Sequence, residues 1–101
     1  MKPTIRIEGA IGRLMLAEQF DFNIHREFRQ ATQSLLEDAE VKEIWVDFDR
    51  VTFLDSSALG MLLLLKERAE GVKKSLVLAN CKDVVLQVLQ IACFDRLFTL
   101  R

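Results

Sequence analysis

Asp55, Ser56 and Ser57 are the residues whose types and spacing best suit chemistry. They follow Val51-Thr-Phe-Leu54 and precede an apolar run from Ala58 to Leu65. Small hydroxyls ahead of such a run read as a helix start, where side-chain oxygens satisfy the first free backbone amides. A serine oxygen placed there lies near the surface, and the helix dipole and free amides favour a phosphate added to it. Phosphoserine carries about −1.5 to −2 charges at neutral pH. Asp55 opposes that charge and adds to the negative potential. The result is a nearly intact fold with an altered surface, enough to block a partner by charge and bulk. The plainer reading of the same residues is a helix cap and nothing more.

Other candidate groups assemble into no catalytic set. A serine nucleophile needs a base, and the single histidine, His25, falls on a helix where a solvent-facing role suffices. No Gly-x-Ser-x-Gly elbow occurs, and the four glycines are too scattered to cradle a phosphate. Asp47 and Asp49 stand two apart on a strand, open to a metal role or to that of ordinary strand-end charges. Asp21 and Asp55 fall in loops expected to meet at one edge of a sheet, but two carboxylates define no reaction. Cys81 and Cys93 lack metal-ligand spacing and read as reduced structural thiols of a cytosolic protein, with a disulfide left open.

The 101-residue chain is half hydrophobic and 29% charged, the profile of one small globular domain with a real core. A net charge of −1 lacks the basic footprint of nucleic-acid binding. The first residues have no long apolar core, so no secretory leader is expected. The longest apolar run is far short of the roughly 20 residues that span a bilayer.

These residues need elements to hold them. Thr4–Glu8 alternates as a half-buried strand does, Gly9 to Gly12 is a turn, and Arg13–Ala17 is a second strand completing a hairpin. Glu18–Asn23 reads as an irregular connection, with Asn23 as cap of the helix that follows. Ile24, Phe28, Ala31, Leu35 and Leu36 share one helical face, while Arg26, Glu27, Gln30, Gln33 and Glu37 share the other. Glu43–Asp49 is an inner strand with Trp45 opposite Ile44, Val46 and Phe48, so both its faces are at least partly covered. Residues 50–55 form a loop. Ser57 to Ala69 lacks β-branched residues and is rich in Leu, Met, Ala, Lys and Glu, which favours a helix closed by Gly71. Ser75–Ala79 is a strand. A third helix starts at Asp83, with Val84, Val85, Val88, Leu89 and Ala92 on its apolar side, and Leu97–Leu100 is a last short strand. The alternation predicts right-handed crossovers in a mostly parallel sheet, with the N-terminal hairpin at one side.

Val51-Thr-Phe-Leu-Asp-Ser-Ser-Ala-Leu-Gly60 resembles the signature of STAS domains, in particular the bacterial anti-sigma factor antagonists. Those carry an apolar stretch and then Asp-Ser-Ser/Thr-Gly-Leu-Gly at the start of the second helix. Asp21 before the first helix matches too, and Asp83 to Phe94 resembles the family's third helix, which ends in Leu-x-x-x-Gly-Leu/Phe. The resemblance spans the chain. It implies an α/β fold, a single STAS domain over residues 1–101, with a mixed, mostly parallel β-sheet and three main α-helices in the order β-β-α-β-α-β-α-β. Ala58 departs from the family's glycine, and Glu18 and Gln19 from the glycine and glutamate that often precede the loop aspartate.

By resemblance, Ser56 is the residue phosphorylated, by a serine kinase that is often the anti-sigma factor itself, and a PP2C-type phosphatase reverses it. The unmodified form binds the anti-sigma partner and frees the sigma factor. Asp21, Asp55, Ser56, Ser57 and Ala58 form the expected partner-binding set, with Ser57 as a capping or packing neighbour. This implies a cytoplasmic regulator that is not an enzyme and has no cofactor, metal, nucleic-acid partner or membrane insertion. Two other functions compete: a constitutive STAS subunit of an ABC-type lipid transporter, and a hydrolase using Ser56.

Overall fold

The computed structural model describes residues 2–101. Two strands, β1 (Thr4–Glu8) and β2 (Ile11–Met15), form an antiparallel hairpin with Glu8 opposite Ile11. Its turn is Gly9-Ala10 alone. Gly9 has φ +62°, the left-handed backbone a two-residue type II′ turn needs at its first position. Gly12 belongs to the strand rather than to the turn. A Cβ there would lie 2.6 Å from Leu35 Cδ2, so its absence lets the first helix settle on β2.

Past the hairpin, β3 (Gln19–Phe20) leads through a 3-10 turn (Phe22–Ile24) into α1 (His25–Glu37). The centre of the sheet is β4 (Glu43–Asp47), followed by β5 (Phe53–Leu54), α2 (Ser56–Gly71), β6 (Ser75–Ala79), α3 (Asp83–Ile91), α4 (Phe94–Leu97) and β7 (Thr99–Leu100). The five-stranded sheet runs β1-β2-β4-β6-β7, antiparallel only at the hairpin. This is the expected mixed sheet with three main helices. A second sheet was not foreseen. β3 and β5 pair in parallel, Gln19 with Phe53 and Phe20 with Leu54, inside segments read as irregular connection and loop. The short α4 was also unforeseen.

One face of the sheet carries the core. Leu14, Leu16, Ile44, Val46 and Leu78 meet Phe28, Leu35 and Leu36 of α1, Leu62 and Leu65 of α2, and Val85 and Leu89 of α3. Phe20 anchors this layer, with ring centroids 5.0 Å from Phe28 and 5.9 Å from Phe48. On the other face Trp45 is half-buried beneath two guanidinium groups, Arg13 at 5.0 Å and Arg101 at 6.0 Å from its ring. Cations over an aromatic face supply the cover that no helix provides there. β1 departs from the half-buried expectation, because all five of its residues are exposed at the edge of the sheet.

Several helix ends differ from their sequence reading. Asn23 does not cap α1. Asp21 caps the 3-10 turn, its Oδ1 accepting from the Asn23 amide at 3.0 Å. Gly71 is the last helical residue of α2, and the left-handed residue after the helix is Lys73, φ +59°. Lys74 then donates to the carbonyls of Leu35 at 2.8 Å and Asp38 at 2.6 Å, closing the C-terminal end of α1. On α3, Val84 faces solvent while Val85 and Leu89 are buried. No helix among the described residues is long and apolar enough to cross a membrane.

Candidate functional site

The small β3–β5 sheet builds the site. Its register aligns Phe20 with Leu54, so the next residues, Asp21 and Asp55, leave the two strands side by side. Each aspartate then opens a helical segment: Asp21 the 3-10 turn, Asp55 α2. The expected meeting of two acidic loops thus takes the form of paired strand ends. Phe22 and Phe53 flank them with exposed rings.

Asp55, rather than a serine, is the cap of α2. Its Oδ1 accepts from the Ala58 amide at 3.0 Å and from the Ser57 hydroxyl at 2.6 Å. The Ser57 hydroxyl, the Ala58 amide and the backbone amides of Phe22 and Ser57 hold the Asp55 carboxyl below the ordinary carboxylate value, against an opposing pull from desolvation. Ser57 therefore serves the cap as a donor to it.

Ser56 is different. It is the first residue of α2, it is exposed, and its hydroxyl makes no hydrogen bond among the described residues. The two serines, alike in sequence, are held in unlike ways. Ala58 has 0% exposure, so its methyl belongs to the core and it reaches no partner through its side chain. Behind Ser56, the leucine run splits by helical phase. Leu62 and Leu65 enter the core, while Leu63 and Leu64 are exposed. Leu63 lies two turns along from Ser56 on the same side of the helix.

The other candidates are accounted for locally. His25 lies on the surface, its ring stacked on Phe22 at 4.5 Å and its Nδ1 3.0 Å from the Phe22 carbonyl. Asp47 is buried at the end of β4. It accepts from Arg13 Nη1 at 3.1 Å, Asn80 Nδ2 at 2.9 Å and the Asp49 amide at 2.9 Å. Burial pushes its carboxyl up, but the bonds from Asn80, Asp49 and Arg13 outweigh it, and the net shift is downward. Asp49 pairs with Lys82 at 3.0 Å. No cluster of three metal-ligating side chains occurs among the described residues. Both cysteines are free, and burial first, then Asp47, pushes the Cys81 thiol up to about 12.

The family described as "Mlab, STAS domain" matches residues 4–100. The chain belongs to the STAS family. A STAS-domain containing protein of Pseudomonas aeruginosa is 40% identical over 95 residues, which is 94% of this chain and 83% of that protein. This STAS chain also shares its fold with anti-sigma factor antagonists. Unphosphorylated SpoIIAA superposes with a TM-score of 0.71 at 20% identity, over 94% of this chain and 96% of that one. The phosphorylated form of the Bacillus cell fate determinant SpoIIAA gives 0.75 at 19% identity, over 98% and 90%. An anti-sigma factor antagonist from Mycobacterium paratuberculosis gives 0.85 at 15% identity, over 98% and 83%.

Proposed function

We propose that this STAS protein is an anti-sigma factor antagonist switched by phosphorylation of Ser56. The observation that carries this reading is the contrast at the start of α2. Ser57 is committed to the cap, whereas the Ser56 hydroxyl is exposed and makes no hydrogen bond among the described residues at the helix N-terminus. A kinase can reach that oxygen without undoing a native contact. The phosphate formed there is favoured by the first amides of α2 and opposed by Asp55 and Asp21 nearby.

Unmodified, the surface around Ser56 binds an anti-sigma factor that is also a serine kinase, and Asp21, Asp55 and Ser57 shape that surface. Ala58 contributes only by setting the helix below it. Phosphorylated, the surface repels the partner, and a PP2C-type phosphatase restores binding. The protein acts in the cytoplasm, over residues 1–101 as one domain, as a substrate and binding module rather than a catalyst. The test is to incubate it with its kinase and ATP and map the product by mass spectrometry. Phosphate on Ser56 is expected; exclusive modification of Ser57 or of another residue overturns the assignment.

The second reading is a constitutive STAS subunit bracing the ATPase of an ABC-type lipid transporter. The matched family description and the exposed Leu63 and Leu64 favour keeping it. It predicts an ATPase that binds equally to the wild type, Ser56→Ala and Ser56→Asp.

A further inference from the structure

Among the described residues the outer edge of β1 is unpaired, because β1 bonds there to β2 alone. In an antiparallel hairpin closed at Glu8 and Ile11, Thr4, Arg6 and Glu8 turn their backbone groups toward β2. Those of Ile5 and Ile7 point outward. The Ile5 and Ile7 side chains are themselves 36% and 49% exposed. An open edge with apolar side chains is a template for another strand.

The charges on this edge select the strand. Arg6 lies directly opposite Arg13 across the hairpin, a like-charge pairing. Arg13 is already shared by Asp47 at 3.1 Å and Glu8 at 3.7 Å, and Arg6 has no carboxylate partner among the described residues. We infer that β1 pairs antiparallel with β1 of a second copy, in the register that places Ile7 opposite Ile7. That register sets Arg6 opposite the Glu8 of the other copy, twice by symmetry, and gives the outward groups of Ile7 a two-bond pair. The register shifted by two residues would set Arg6 against Arg6 and is disfavoured. In this register only residues 6–8 of each β1 face one another, so the dimer is weak and concentration-dependent. It uses none of the site on α2.

Sedimentation equilibrium of the full chain over a wide concentration range tests this. The wild type should rise from monomer toward dimer mass. Arg6→Glu puts like charges opposite one another at both pairs and should weaken association about tenfold or more. It also places a carboxylate opposite Arg13, so the hairpin itself should hold. The double variant Arg6→Glu/Glu8→Arg restores the pairing and should restore dimerisation. Ile7→Pro removes an outward donor that the monomer does not use, which an edge strand tolerates, and should abolish the dimer. A wild type that stays monomeric throughout, or single and double variants that associate equally, would overturn the inference.

Discussion

The Ser57 hydroxyl donates to Asp55 Oδ1 at 2.6 Å, and this bond divides two adjacent serines into a cap partner and a free surface group. Asp55 in turn holds the Ala58 amide, so the start of α2 is closed without any help from Ser56.

The cap should therefore respond to changes at Asp55 and Ser57 but not at Ser56. Asp55→Ala should lower the unfolding midpoint in denaturant, Asp55→Asn much less, since Asn also caps well, and Ser56→Ala hardly at all. The Asp55 carboxyl is held low chiefly by Ser57, so the stability it adds is present above the ordinary carboxylate range and fades as pH falls through its folded value. Ser57→Ala should move its NMR titration upward, toward the ordinary value. An unchanged titration would show that the backbone amides suffice.

Asp47 ties three strands together through Arg13 on β2, its own position on β4, and Asn80 just after β6. Asp47→Ala removes the acceptor of the Asn80 side chain and the Asp49 amide, leaves Arg13 only its longer contact with Glu8, and should cost about 2 kcal/mol in denaturant unfolding. Its carboxyl sits below the ordinary value, so this contribution too is complete above that value and lost toward acid. The wild-type advantage over the variant should therefore shrink as the pH is lowered.

Cys93 has φ +61°, between α3 and α4. It stands where the resembled pattern Leu-x-x-x-Gly-Leu/Phe carries glycine. A side chain in the left-handed region costs about 1 kcal/mol. Cys93→Gly should raise stability by about 0.5–1 kcal/mol, read as a higher thermal midpoint.

Much of this was legible in the sequence, and the parts that were not share a physical cause. Ile44 and Val46 against Trp45 marked β4 correctly, because a five-residue strand is long enough to display its period. β3 and β5 have two residues each, too few for any period, and exist only because Gln19 finds Phe53 across more than thirty positions. The closeness of Asp21 and Asp55, each one residue past a paired strand end, rests on that contact, so sequence placed both in loops meeting at one edge but not side by side. The hairpin's place at one side of the sheet was legible, but the alternation in β1 reads as half-buried and does not reveal that no helix covers the strand. Lys73 took the left-handed position expected of glycine, and no residue-type rule marks that. The Asp-Ser-Ser motif pointed to the candidate site at the start of α2, while the unlike bonding of the two serines depends on hydrogen-bond geometry alone.

In the proposed switch, phosphate on Ser56 releases the partner. The most direct measurement compares the affinity of the anti-sigma factor for the unmodified protein and for the protein carrying phosphoserine at position 56, with Ser56→Ala as control. Unmodified protein and Ser56→Ala should bind alike, and the phosphoserine form at least about a hundredfold more weakly, as expected for a dianion placed within an interface. Equal affinities for all three would contradict the account.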